Sequence, residues 1–405
     1  MVRCGSLFSQ VLSLVDRHEF HRLVLGHDAE RHAKGYSSWS HFVAMLFCQL
    51  AQAKSIREIC GGLACCVGKL KHLGLRESPR RSTLSYANAR RPWEMYRELF
   101  YQLLARYQGS MRGKKRKFRF KNKLLSLDST TISLCLAMFP WADYRRTKGA
   151  VKLHLLLDHD GYLPTYAYIS NGRKHDVTVA RKVPLTLGSV VTMDKGYNDY
   201  RLFSSWTESG IYFVTRMKDN AVYDIVEELG LPCHKNILSD QIILFTGTGA
   251  LAKCPHALRR VVVWDEENQR QIVLLTNHFS FAASTISAIY KDRWEIEIFF
   301  KTLKQNLKVK TFVGTSENAL YIQIWTALIA MLIIKYLQHL SKLSWSLSNL
   351  VTLLRWNLFT YRDLRQWLDD PFETPPAEPE PTQGYLPFPG LGQHLCKVDK
   401  RITRS

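Results

Sequence analysis

The chain has 405 residues, 46% of them apolar, with 56 Lys and Arg against 35 Asp and Glu, a formal net charge of +21. That content excludes wholesale disorder, and the length suffices for two or three domains with a buried core. A surface so basic suits a polyanion, most simply nucleic acid, while nine scattered cysteines without zinc or disulfide spacing point to reduced thiols in a cytosolic setting.

Residues 1–110 are expected to form a helical, DNA-binding region. Leu7, Phe8, Val11, Leu12 and Val15 recur at helical spacing, which reads as an amphipathic helix rather than a signal peptide. SIREICGGLACC (55–66) reads as a helix followed by a Gly turn. STLSYANARRPWEMYREL (82–99) reads as a helix opened by a Ser/Thr cap. On it Asn88, Arg90 and Arg91 are candidates for reading base edges in the major groove, with a plain basic helical hairpin as the alternative.

Residues 111–123 are expected to be an exposed linker. Eight of the twelve residues from Arg112 to Lys123 are basic and none is acidic, too self-repelling to pack unaided. Lys114, Lys115, Arg116 and Lys117 are candidate phosphate contacts.

From Leu124 the pattern becomes β. LLSLD (124–128), VKLHLLLD (151–158), LPTYAYIS (163–170), VVTMD (190–194) and YFVTRMK (212–218) read as strands, with a hairpin turn at DHDG (158–161). Three strands in series, then two separated by helix-length gaps, predict an α/β fold: a mixed sheet flanked by helices, over 124–218. Residues 219–280 carry further short strands, QIILFT, RRVVVW and RQIVLLTN, and read as an all-β insertion. Helix returns over 281–370. Its apolar run Ile324–Ile334 is too short to span a bilayer and suits a buried core helix. Residues 371–405 read as a Pro/Glu-rich linker and a basic tail.

Three carboxylates stand out. Asp128 closes LLSLD and Asp194 closes VVTMD. An acid at the end of a buried apolar strand is costly unless paired or bound to metal, although strand-end Asp is often only a turn former. Two such strands side by side bring their acids together, and oxygen ligands without Cys or His point to Mg²⁺ or Mn²⁺. The third is Glu297, on a predicted helix over 284–309. Tyr290, Arg293, Glu297 and Lys304 share one narrow face of it at ~100° per residue, beside the apolar face of Ile289, Ile296, Phe299, Phe300 and Leu303. By periodicity alone, an ordinary amphipathic helix with an Arg293–Glu297 surface pair is an equal reading.

The spacing Y-x-x-R-x-x-x-E followed seven residues on by Lys resembles the signature helix of DDE transposases of the insertion-sequence-four type. LDSTTI (127–132) and MDKGY (193–197) resemble that family's two Asp motifs, and FVTRMKDNA (213–221) and KTFVGTSENA (310–319) its flanking stretches. The resemblance covers about Leu124 to Leu340. It implies an RNase H-like catalytic domain with an all-β insertion before the Glu helix. It implies Asp128, Asp194 and Glu297 as a triad binding two Mg²⁺ or Mn²⁺ ions for strand cleavage and joining at transposon ends. It also implies Tyr290, Arg293 and Lys304 as phosphate contacts. Trp264, in the β insertion, is the candidate for stacking on an unpaired base, and Trp294 is its rival. The implied partners are double-stranded DNA, as transposon ends and target, and a second copy of the chain in the DNA complex. No membrane is implied, and the setting is the bacterial cytoplasm and nucleoid. The competing functions are a non-catalytic DNA-binding derivative and a nuclease that only hydrolyses.

Overall fold

The computed structural model describes residues 5–31, 33–66, 68–111, 117–145, 148–230, 236–309 and 311–376; Lys114, Lys115 and Arg116, and the expected tail beyond 376, lie outside them. Helices α1 (Leu7–Ser13), α2 (Arg17–Gly26), α3 (Ser38–Ala51), α4 (Ile56–Ala64), α5 (Arg81–Arg90) and α6 (Glu94–Met111) open the chain. Side chains of Ser6, Asp16, Ser37 and Ser55 accept from the first-turn N–H groups of α1 to α4 and fix where each begins. The helix expected over 82–99 is two helices. Pro92 pushes Arg91 to an extended ψ of 138°, which ends α5. The expected turn at Gly61 and Gly62 is instead helix: Gly62 lies so close to the Phe47 ring that an added Cβ would sit 2.9 Å from it.

Strands β1 (Leu124–Leu134), β2 (Asp143–Arg145), β3 (Lys148–Asp158), β4 (Leu163–Asn171), β5 (Val190–Met193) and β6 (Tyr212–Arg216) follow, with α7 (Asp176–Ala180) before β5 and α8 (Tyr200–Glu208) after it. β3 pairs antiparallel with β1 and β4, whereas β5 runs parallel to β1 and β6 parallel to β5. The order β4-β3-β1-β5-β6, three antiparallel strands then two parallel, is the mixed sheet of an RNase H-like core.

The strands β7 (Tyr223–Glu228), β8 (Ile237–Phe245), β9 (Leu258–Asp265) and β10 (Arg270–Thr276), with the short α9 (Ala250–Lys253), occupy the region read as an insertion. They do not stand apart from the core. β10 pairs with β6, so the order continues β6-β10-β9-β8-β7 and a single sheet runs through both parts.

Next come α10 (Ala283–Asp292), α11 (Trp294–Asn306), α12 (Glu317–Leu340), α13 (Leu347–Asn357) and α14 (Leu364–Asp369). The helix expected over 284–309 is broken at Arg293. Arg293 N donates to Tyr290 O and Ile296 N to Arg293 O, i→i−3 bonds that tighten one turn without reversing the chain. The 24 residues of α12 would be long and apolar enough to cross a membrane, yet most of them are buried in the protein. α12 packs against α3, α5 and α6. One continuous core joins Phe42 and Phe100 of the N-terminal helices, Leu153 and Leu155 of the sheet, Phe299 of α11, and Leu328 and Ile329 of α12.

Candidate active site

Strand register builds the first half of the site. Leu127 on β1 pairs with Met193 on the parallel β5, so Asp128 and Asp194, one residue on, lie across adjacent strands. Asp128 does not end its strand: its antiparallel partner β3 carries β1 on to Leu134. Asp194 does end β5 and leads into a 3₁₀ turn, Lys195–Tyr197.

The helix break supplies the second half. Arg293 is buried, with Nη2 2.5 Å from Glu297 Oε1 and Nη1 3.7 Å from Asp128 Oδ2. Arg293 therefore links the acid of α11 to the acid of β1, and the surface pair of the bland reading is in fact drawn into the site. Its guanidinium also lies over the Tyr290 ring, 5.5 Å from the centroid. Lys304 Nζ donates to Thr131 O at 3.0 Å. All four residues of the predicted stripe thus face β1 or each other.

Burial pushes the Asp128 carboxyl up to about 6. A hydrogen bond from Ser129 N at 2.7 Å and the Arg293 charge pull it back, and the charges of Asp194 and Glu297 add to the rise. The three acids thus act on one another electrostatically. Among the described residues no three acids, histidines or cysteines are gathered tightly enough to enclose an ion. Here Arg293 occupies the space between Asp128 and Glu297. In kind the donors suit a hard divalent cation: oxygen only, half-buried, and mutually repelling. Thr192 Oγ1, two residues before Asp194, and Arg293 Nε are buried without a hydrogen-bond partner.

Other expected residues fare differently. Asn88 and Arg91 do not face a groove. Asn88 is 1% exposed, with Oδ1 2.7 Å from His41 Nε2, and Arg91 Nη1 donates to Ser37 O at 2.8 Å. Both share the side of α5 that Leu84 and Ala87 bury against the protein. Arg90 is exposed, its guanidinium 5.7 Å over Tyr86. Lys117 is described and donates to Asp292. Trp264 is half-buried on β9 opposite Gln271, three strands over from β5, about 14 Å across the sheet. Trp294, beside Arg293, is 59% exposed. Sequence reasoning passed over Arg216, which ends β6 level with Asp194 and exerts its charge on Tyr290. Its signal lay within FVTRMKDNA.

Residues 3–76 match the model of a domain of unknown function (DUF4372), and residues 119–333 match that of the Transposase DDE domain. A putative transposase, y4zB, of Sinorhizobium fredii is 29% identical over 291 residues, 71% of this chain and 80% of the relative. A probable transposase for insertion sequence element IS5377 of Geobacillus stearothermophilus is 30% identical, over 64% of this chain and 68% of its own. A solved piggyBac transposase synaptic complex with hairpin DNA aligns with 89% of this chain and 80% of its own, at a TM-score of 0.41 and 11% identity. More than half of the sequence lies within the DDE match, and the chain belongs to the family of transposases with a DDE domain.

Proposed function

We propose that this protein is a transposase of the insertion-sequence-four type, which binds the inverted repeats at transposon ends, cleaves DNA strands there and joins them to target DNA. The observation that carries this reading is the register of β1 on β5, which sets Asp128 beside Asp194 while Arg293 draws Glu297 to them. Asp128, Asp194 and Glu297 would hold two Mg²⁺ or Mn²⁺ ions. Bound there, these supply activation of an attacking oxygen and stabilisation of the leaving 3′ oxygen in an in-line displacement.

The protein's own groups have separate tasks. Arg293 neutralises Asp128 and Glu297 while the site is empty of DNA. An arriving phosphate draws the guanidinium off Asp128, the longer of its two contacts at 3.7 Å, and frees that carboxylate to act as a ligand. Tyr290 holds the guanidinium through its ring face and donates its hydroxyl to the backbone without adding charge. Lys304 exchanges Thr131 O for a phosphate. The basic segment 112–123 and Arg90 hold flanking duplex DNA, and two copies of the chain pair two ends.

The test is end-labelled DNA bearing the repeats that flank the gene, with Mg²⁺. The wild-type protein is expected to give cut and joined products. Asp128→Asn, Asp194→Asn and Glu297→Gln are each expected to give neither while still binding ends. Full activity in any variant removes that residue from the site. Cutting without joining marks a nuclease, and binding without cutting marks a non-catalytic derivative.

A further inference from the structure

We infer that Ser126, His159 and Asp292 form a positioning relay behind the acids, which fixes where Arg293 stands; the inference deepens the role given to Arg293 above. Ser126 precedes Asp128 by two residues on β1, on the same face, and is fully buried. Its Oγ lies 2.6 Å from His159 Nε2. His159 opens the β3–β4 turn, and its backbone N donates to Leu124 O at the start of β1. His159 Nδ1 lies 2.5 Å from Asp292 Oδ2. Asp292 ends α10, is 3% exposed, and is followed directly by Arg293.

An ionised carboxylate only accepts, so His159 donates from Nδ1 to Asp292, and in that tautomer Nε2 accepts from the Ser126 hydroxyl. Burial pushes the Asp292 carboxyl up, and hydrogen bonds from His159 and Lys117 overcome this and hold it below the usual range. Tyr162 OH adds a third donor at 3.4 Å. Tyr162 itself sits at φ +54°, a left-handed conformation that a bulky residue keeps only when its surroundings enforce it. The Ser–His–Asp connectivity is that of a hydrolase triad, but a fully buried serine meets no substrate, so it is no nucleophile.

The contacts close on themselves. From Ser126 they pass through His159 and Asp292 to Arg293, from there to Asp128, and back along β1 to Ser126. Both partners of the Arg293–Asp128 ion pair are therefore seated in one frame, and Lys117 ties the basic segment to it. Misplacing a charged group by about 1 Å in such a site costs on the order of a hundredfold in rate.

The experiment combines a melting cycle with rates on the full chain. In melting without divalent ions, the losses from His159→Ala and Arg293→Ala are expected not to add, the double variant losing less than the sum, because the two residues serve one frame. Additive losses overturn the relay. Below the melting point, His159→Ala is expected to cut end DNA at least tenfold more slowly with end affinity within twofold. His159→Asn, whose amide can take the Nδ1 position, is expected to stay within threefold of the wild type. An Asn variant as slow as the Ala variant overturns the relay. If His159→Ala does not fold, Ser126→Ala carries the same cycle. If the wild type cuts no ends, the transposition reading fails and the cycle alone decides the relay.

Discussion

Asp128 is ionised at neutral pH only against the cost of its burial. Its pKa rises from 3.8 to about 6 on folding, so the folded state holds the proton more tightly than the unfolded one. Below pH 3.8 both states are protonated and nothing is lost. Between pH 3.8 and about 6 the unfolded chain ionises first and stability falls, by about 2–3 kcal/mol in all, and above 6 the loss is constant. Asp128→Asn removes this loss. Without divalent ions the variant is expected to melt higher than wild type at pH 7 and to show no advantage at pH 3.5; a lower melting point at pH 7 would contradict the assigned cause. At this scale the placement of Asp128 and Asp194 on adjacent strands was legible from their motifs, although only Asp194 ends its strand. Asn88 and Arg91 were not, since α5 has only Leu84 and Ala87 to mark its buried side. His159 and Asp292, 133 positions apart, acquire meaning only once β3, β4 and α10 are assembled.

Among the elements, strands with alternating or wholly buried patterns were legible, and β7 was not, because nearly all its side chains are exposed at a sheet edge and leave no alternation. Nor does sequence show that β10 joins β6: pairing is decided by backbone hydrogen bonds that carry no residue signature. The extension is clamped to the start of α10 by Arg259 on β9. Arg259 forms two bonds to Asp240, at 2.8 and 2.6 Å, and donates through Nη1 to Phe279 O and Phe281 O in the segment entering α10. Both members of this ion pair are buried. Arg259→Ala leaves Asp240 charged and alone, and is expected to cost about 3–5 kcal/mol, read by urea unfolding. Asp240→Asn together with Arg259→Met is expected to recover most of that loss. A cost below about 1 kcal/mol for Arg259→Ala would show that the clamp is not needed.

At the scale of the molecule, the N-terminal helices, the sheet and α12 share one core, which composition cannot reveal because the apolar faces of α3 and α12 are separated by some 270 residues. Polar contacts seal the same junction. Gln49 Nε2 donates to Gln323 O at 3.2 Å, and Gln323 Nε2 donates to Lys308 O and Thr311 O. A fragment of residues 1–123 is therefore expected to be largely unfolded or aggregated, because it lacks the α12 surface that its helices bury. Circular dichroism and limited proteolysis measure this. A fragment that melts cooperatively would show that α1 to α6 possess a sufficient core of their own.

The position of α12 so late in the chain also sets a timetable for synthesis. At about 5–20 residues per second, α6 leaves the ribosome roughly 200 residues, and thus on the order of 10–40 s, before α12 begins to follow. During that interval Phe100 lacks Trp325, the α12 ring it packs against, and the face of α3 that meets α12 is uncovered. A newborn chain that stalls or ends before residue 317 exposes this surface to chaperones and proteases.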